Sequence, residues 1–186
     1  MVVDHFTIRD FANAVQAQIK IHGREAANIL EGIKGPIEKI LASDLSGIGV
    51  RREGNHIDES RYLYYDGEMS ITFDHLPQGK DVPPHDHGTW EALAIYSGRL
   101  HHTVFDRMDD GSINGYAELE IIDDRILEVG DVSMVAPPAE IHSFTAQTED
   151  TWSVTIVGSP YKMDRHYYDP VNNSCRIANP KKQKVV

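Results

Sequence analysis

The residues with the clearest chemical potential lie between Gly79 and Gly98, where the chain reads Gly79-Lys80-Asp81-Val82-Pro83-Pro84-His85-Asp86-His87-Gly88-Thr89-Trp90-Glu91 and continues to Gly98. In an extended strand, residues two apart project from the same face. His85 and His87 can therefore reach one ion together. Glu91 has the same parity and faces the same side if no bulge intervenes. Two imidazoles and a carboxylate directed into one interior make up most of a metal site, and a third imidazole must come from another strand. His142 is the best candidate. It follows the turn Gly130-Asp131 and the pair Pro137-Pro138, inside the run Ile141-His142-Ser143-Phe144. A single strand histidine is more often a packing residue than a ligand, and His-x-His alone is a weak signal. Here the in-face carboxylate, the preceding prolines and the flanking glycines strengthen it. Imidazole and carboxylate ligands suit Fe, Mn, Ni, Cu or Zn, so ligand type leaves the metal open.

Other residues carry weaker signals. His101-His102 lies on a predicted strand, so one ring points inward, either as a packed histidine or as a second-sphere proton donor or extra ligand. Trp90, Tyr62, Tyr64 and Tyr96 are candidates for lining a pocket, although aromatic residues in barrel strands are more often core. Asp109-Asp110 and Asp123-Asp124 read as solvated loop charges. His5, His22, His56, His75 and His166 have no partner at ligand spacing. Cys175, in Asn172-Asn173-Ser174-Cys175, would need a nearby histidine to act as a nucleophile.

These side chains need a scaffold, and the patterning supplies one. Ile8, Phe11, Val15 and Ile19 fall on one helix face, Thr7 with Asp10 reads as a capping box, and Gly23 is a plausible end. A second helical stretch runs through Ala26, Ala27, Ile29 and Leu30. A third is expected to start at Pro36 and to cover Ile37, Ile40 and Leu41. Ser46-Gly47-Ile48-Gly49 reads as a connector. From about residue 60 the period becomes two. Asp66-Gly67 marks a hairpin, and strand-like runs follow at Thr89–Tyr96, Leu100–Phe105, Tyr116–Ile122, Val132–Val135, Ile141–Thr145 and Thr151–Val157. Many short strands at regular spacing predict a sandwich or barrel. The expected architecture is mainly β. It is a single domain over residues 1–186, with N-terminal helices over about 5–45, a small antiparallel barrel over about 60–170 and a tail over 171–186.

Composition narrows the function. The chain has 186 residues, with 18 Lys plus Arg against 29 Asp plus Glu, a formal net charge of −11. Such a balance argues against nucleic-acid phosphates and anionic membrane surfaces as partners. No segment approaches the roughly 18 apolar residues of a membrane span, and the first residues carry no apolar signal core. One cysteine excludes an internal disulfide and suits a reducing compartment. A cytoplasmic location is the expectation.

The segment Gly79–Gly98 resembles the first motif of the cupin superfamily at every position: a glycine, five residues, His-x-His, three residues, Glu, six residues and a glycine. Gly130–His142 resembles the second motif, with one extra residue before Pro137, Ala139 in place of a glycine and Ala146 in place of a later asparagine. The resemblance implies a double-stranded β-helix and, since such proteins are commonly dimers, a homodimer.

A looser resemblance to the cysteine dioxygenase (thiol dioxygenase) family runs over about residues 5–170. It rests on the N-terminal helices, Arg61-Tyr62, Pro84-His85-Asp86-His87 with Trp90, Thr103-Val104-Phe105-Asp106 and Gly158-Ser159-Pro160-Tyr161. It implies Fe(II) held by His85, His87 and His142; the ligand types themselves leave Zn, Mn or Ni possible. It also implies a small-molecule substrate and O2. The chain departs from that family in three places. Glu91 stands where the family has Cys or Gly, and it is expected either as a fourth ligand or as a base. Tyr64 stands where an Arg would grip a substrate carboxylate and can offer a single hydrogen bond, worth roughly 0.5–1.5 kcal/mol. Ser153-Val154-Thr155-Ile156-Val157 stands where a Ser-x-His-x-Tyr relay would move protons. The expected function is a non-haem iron dioxygenase acting on a small thiol or organic acid other than free cysteine. The alternatives are a cupin isomerase or lyase using Zn, Mn or Ni, and a non-catalytic metal-binding sensor.

Overall fold

The computed structural model describes residues 6–23, 25–53, 57, 59–138 and 140–177. His5, His56, Ala139 and the tail from 178 onward lie outside the described residues. Two helices come first, α1 (Ile8–His22) and α2 (Ala26–Leu41). Thr7 and Asp10 form the expected capping box, and Gly23 closes α1 at a φ of 62°. The second and third predicted helical stretches are one helix, with Pro36 inside it. The proline removes one donor and sets its ring against the carbonyl four residues back. That carbonyl belongs to Gly32, and the burial of Ile29, Ile33, Ile37 and Ile40 along one face holds the helix through the defect.

Twelve strands follow: β1 (Val50–Arg51), β2 (Glu59–Tyr65), β3 (Ser70–Leu76), β4 (Asp81–His85), β5 (Glu91–Ser97), β6 (Leu100–Arg107), β7 (Leu119–Leu127), β8 (Val132–Val135), β9 (Ile141–Ala146), β10 (Thr151–Val157), β11 (His166–Asp169) and β12 (Ser174–Ile177). They form two six-stranded sheets, ordered β1-β2-β3-β10-β5-β8 and β12-β11-β4-β9-β6-β7. Every described pairing is antiparallel. This is the double-stranded β-helix. The tail expected from 171 instead begins with β12, which pairs with β11. Asp123 and Asp124, expected in a loop, sit in the middle of β7. Among the described residues no helix is long and apolar enough to cross a membrane.

Alternation along the first sheet divides its two faces. Ile71, Phe73, Ala92, Ala94, Val154 and Ile156 face outward and pack with Phe11, Val15, Ile29, Ile33 and Ile37 of the helices. Leu76, Leu93 and Ile95 face inward and meet Val82, Leu100, Leu127, Phe144 and Ala146 of the rest of the barrel. The helices thus cover one sheet, and the second core fills one end of the barrel. Strand β4 enters with Pro83-Pro84, which have no N–H to give to a ladder. Its register with β9 shifts between Val82 and His85. That irregularity allows both Val82 and His85 to point inward.

Candidate metal centre

At the end of the barrel opposite the apolar core, three histidines converge. The ligand atoms of His85, His87 and His142 all lie within 4.8 Å of one another, and all three residues are buried. His85 is the last residue of β4 and the direct register partner of His142 on β9. His87 lies past the strand end, in the loop that runs to β5. Parity therefore gave the right convergence for a partly wrong reason, because no continuous strand joins His85 to Glu91. Asp86, between the two histidines, turns the other way. It accepts hydrogen bonds from Tyr168 Oη at 2.9 Å and the His166 amide at 2.7 Å, and it pairs with Lys162 Nζ at 2.8 Å.

The three imidazoles differ in what holds their second nitrogen. His85 Nδ1 sits 2.9 Å from the Pro83 carbonyl oxygen, which orients the ring as a donor on that side. His142 Nδ1 sits 2.9 Å from His102 Nε2. His87 Nδ1 is buried without a partner among the described residues. His87 Nε2 and His142 Nε2 face each other at 2.9 Å. Desolvation, reinforced by neighbouring positive and imidazole groups, holds both well below the ordinary histidine pKa. They are neutral and keep a lone pair. A metal fits these residues. The fit is one of donor type: the ligand atoms of three buried imidazoles converge within 4.8 Å of one another, and neutral imidazole nitrogens are the commonest protein ligands of transition metals.

Glu91, the first residue of β5, is 4% exposed. Its Oε2 lies 3.5 Å from His87 Nε2 and its Oε1 lies 3.7 Å from His142 Nε2. It flanks the cluster at longer range than the imidazoles flank each other. Tyr161 Oη donates to Glu91 Oε2 at 2.7 Å, and the Tyr161 ring lies 4.6 Å from the His87 ring. Burial raises the Glu91 carboxyl to about 7. It also holds the Tyr161 phenol well above its usual value, with the Glu91 charge second.

Tyr64 is placed elsewhere. The ladder between β2 and β3 shifts between Tyr62 and Tyr64, and Tyr64 joins the helix-facing cluster. Its hydroxyl bonds Gln16 and Asp66. The carboxylate argument built on position 64 therefore loses its physical basis. Two arginines that the sequence reading did not single out take up that question. The charges of Arg52 and Arg165 both reach His87 and Glu91. Arg52 lies over the Tyr62 ring at 5.4 Å, and Arg165 lies over the Tyr161 ring at 4.9 Å. Among the described residues, arginine–carboxylate ion pairs involve Arg61, Arg99, Arg107 and Arg125, not these two. No local motif marks them, since Arg52 precedes β2 and Arg165 lies in the loop after β10.

Asp74 was also missed. It is 2% exposed on the inward face of β3. Ser60 and Thr72 donate to it, and Thr155 joins them. Desolvation outweighs these bonds and the nearby Arg52, so its pKa is raised. Ser153 keeps an inward hydroxyl with no partner among the described residues. Of His101-His102, the inward ring is His102, and burial lowers its pKa to about 4. The outward ring, His101, bonds Asp124 at 2.7 Å.

Trp90 is core and packs so closely on Gly158 that a Cβ there would lie 2.2 Å from the indole. Tyr96 is helix-facing and donates to the Ser43 carbonyl. A surface groove lined by Arg51, Glu59, Ser60, Arg61, His75 and Pro77 includes none of the cluster residues.

No protein-family profile and no curated protein sequence matches the chain. Solved structures do match, and those with similar chains include one described as a cupin superfamily protein and one as an RmlC-like cupin. KdgF from Halomonas sp. is 16% identical, with 56% of this chain and 81% of that one covered and a TM-score of 0.41. A Klebsiella pneumoniae protein with a double-stranded β-helix domain is 12% identical over 77% of this chain and 94% of that one, with a TM-score of 0.39. A mutant oxalate decarboxylase from Bacillus subtilis is 17% identical over 62% and 28%, with a TM-score of 0.43. The likeness is one of fold alone.

Proposed function

We propose that the protein is a non-haem Fe(II) dioxygenase similar to thiol dioxygenases, acting on a small thiol or organic acid other than free cysteine. The observation that carries this reading is the convergence of three buried imidazoles beside two arginines whose charges reach the cluster and that form no ion pair with a carboxylate among the described residues. His85, His87 and His142 would hold the ion. Bound Fe(II) supplies an open-coordination Lewis-acidic centre at which a substrate and O2 are activated together.

The remaining roles belong to the chain's own groups. Arg52 and Arg165 attract and orient an acid group, because a guanidinium presents paired donors matched to a carboxylate. Tyr161 keeps its proton at the phenol oxygen and directs it to Glu91 Oε2, which fixes the carboxylate beside the cluster. The loop over 158–165 is tied down by the Lys162 amide, which donates to the His87 carbonyl at 2.9 Å. That tie helps exclude water from the histidines. Free cysteine is set aside because β10 offers Thr155 and Val157, which cannot shuttle protons as His and Tyr can.

The test is metal analysis followed by an oxygen-electrode screen with small thiols and β-dicarbonyl acids. Iron-dependent oxygen uptake that disappears in His142→Ala is the expected result. Turnover that persists without oxygen and with Zn(II) would replace this reading with a Lewis-acid isomerase or lyase. Tight metal and ligand binding without product would replace it with a sensor.

A further inference from the structure

The three histidines of the cluster are supported unequally, and one support is a side chain that can be replaced. The nitrogen of His85 away from the cluster meets a backbone carbonyl. That of His87 meets no group among the described residues. That of His142 meets His102 Nε2 at 2.9 Å, and His102 Nδ1 in turn lies 3.4 Å from Ser133 Oγ. His102 is 1% exposed and Ser133 is 4% exposed. They belong to different sheets. His102 is on β6 and Ser133 is on β8, where Ser133 pairs with the inward Leu93.

We infer that His102 is a positioning residue for the metal centre, fixing the tautomer and ring plane of His142 through a His142–His102–Ser133 chain that spans the two sheets. The inference rests on His142 being a metal ligand and goes beyond that reading by assigning its support.

The protons follow from the contacts. His142 Nε2 faces the cluster and must present a lone pair, so its one proton sits on Nδ1. That N–H donates to His102 Nε2. A neutral His102 then carries its proton on Nδ1 and directs it to Ser133 Oγ. Each nitrogen has one role, and the chain runs in one direction. Without an acceptor at His102 Nε2, the His142 proton is free to move to Nε2, which blocks ligation. The ring also loses the contact that sets its plane. Partners of this kind typically change metal affinity by about 10–100-fold.

The test compares wild type, His102→Leu, His102→Gln and His142→Ala as full-length protein. Co(II) is titrated anaerobically against a chelator, and the absorption bands of bound Co(II) are recorded. His102→Leu removes the acceptor, and His102→Gln keeps a side-chain oxygen that can accept. The expected result is a loss of about 10–100-fold in Co(II) affinity for His102→Leu with shifted bands. His102→Gln is expected to recover most of the affinity and the wild-type spectrum. Equal affinity and unchanged bands in His102→Leu would overturn the inference. So would equal losses in both variants, which would make His102 a packing residue. Tight Co(II) binding by His142→Ala would show that the three-histidine assignment itself is wrong, an outcome distinct from a failure at His102.

Discussion

The two ends of the barrel are built from the same inward-pointing positions of the same strands, yet they differ in chemistry. On β5 the inward series runs Glu91, Leu93, Ile95. On β3 it runs Thr72, Asp74, Leu76, and on β9 His142, Phe144, Ala146. At one end these positions join Val82, Leu100 and Leu127 in a continuous apolar core. At the other they bring carboxylates, hydroxyls and imidazoles into an interior that is equally buried. The alternation that makes a strand is silent about which end of it will be reactive. The contrast teaches that burial in this fold serves two purposes. It supplies cohesion at one end, and at the other it strips water from groups whose properties then depart from those in solution.

That contrast can be broken from either end. The largest expected effect is on metal binding. His142→Ala should abolish most of the metal occupancy, read by elemental analysis of protein purified with added Fe(II), while the far-ultraviolet circular dichroism stays as in wild type. If the variant unfolds instead, the polar end contributes more to cohesion than the division implies.

Next comes Ile95→Ala. It is fully buried in the apolar end, and the truncation should cost about 2–5 kcal/mol in denaturant unfolding. Metal affinity measured well below the transition should be unchanged. A parallel loss of affinity would show that the two ends are coupled.

A smaller effect is expected at Glu91. It sits beside the cluster, and Tyr161 occupies one of its oxygens. Glu91→Gly should lower metal affinity by about 10–100-fold, as for an outer partner. Complete loss would make Glu91 a required ligand.

The legibility of the chain follows the same division. Period-two patterning located β8 and β10 to the residue and most other strands within a few positions, because burial on one face writes itself into alternate residues. It missed β4, whose prolines disguise a strand that bulges. It also missed the two-residue β1 and the hairpin of β11 and β12, strands too short to write an alternation. His85, His87 and His142 were legible from spacing. Their pairing was not, since the His85–His142 register is a tertiary fact. Tyr64 misled because a bulge in β2 resets the parity on which its placement depended. Arg52, Arg165 and Asp74 gave no signal, because nothing local distinguishes an arginine in a connecting segment or a strand aspartate from a solvated one.

The smallest expected effects sharpen the polar end. The pKa of Asp74 is raised by desolvation, so its contribution to stability is full below the ordinary aspartate value and falls as pH rises through the raised one. Asp74→Asn should therefore gain stability relative to wild type as pH rises through that window. A difference between the two proteins that stays constant with pH would contradict the shift. Tyr64→Phe should leave metal affinity unchanged in the same chelator competition, because its hydroxyl faces α1.

The register of β4 also sets a timetable. Its last residue, His85, pairs on one side with His142 and is flanked on the other by Tyr167. As the chain leaves the ribosome, β4 has no neighbour in its own sheet until β9 has emerged. The loop bearing Tyr161 and Arg165 follows later still. Pairings of such long sequence separation form slowly, and domains are completed only as their last segments become available. The first two histidines of the cluster are therefore synthesised early and assembled late. A nascent chain stopped before residue 142 would carry His85 and His87 at the end of a strand with no partner, and release of the C-terminal third would be the step that completes the cluster.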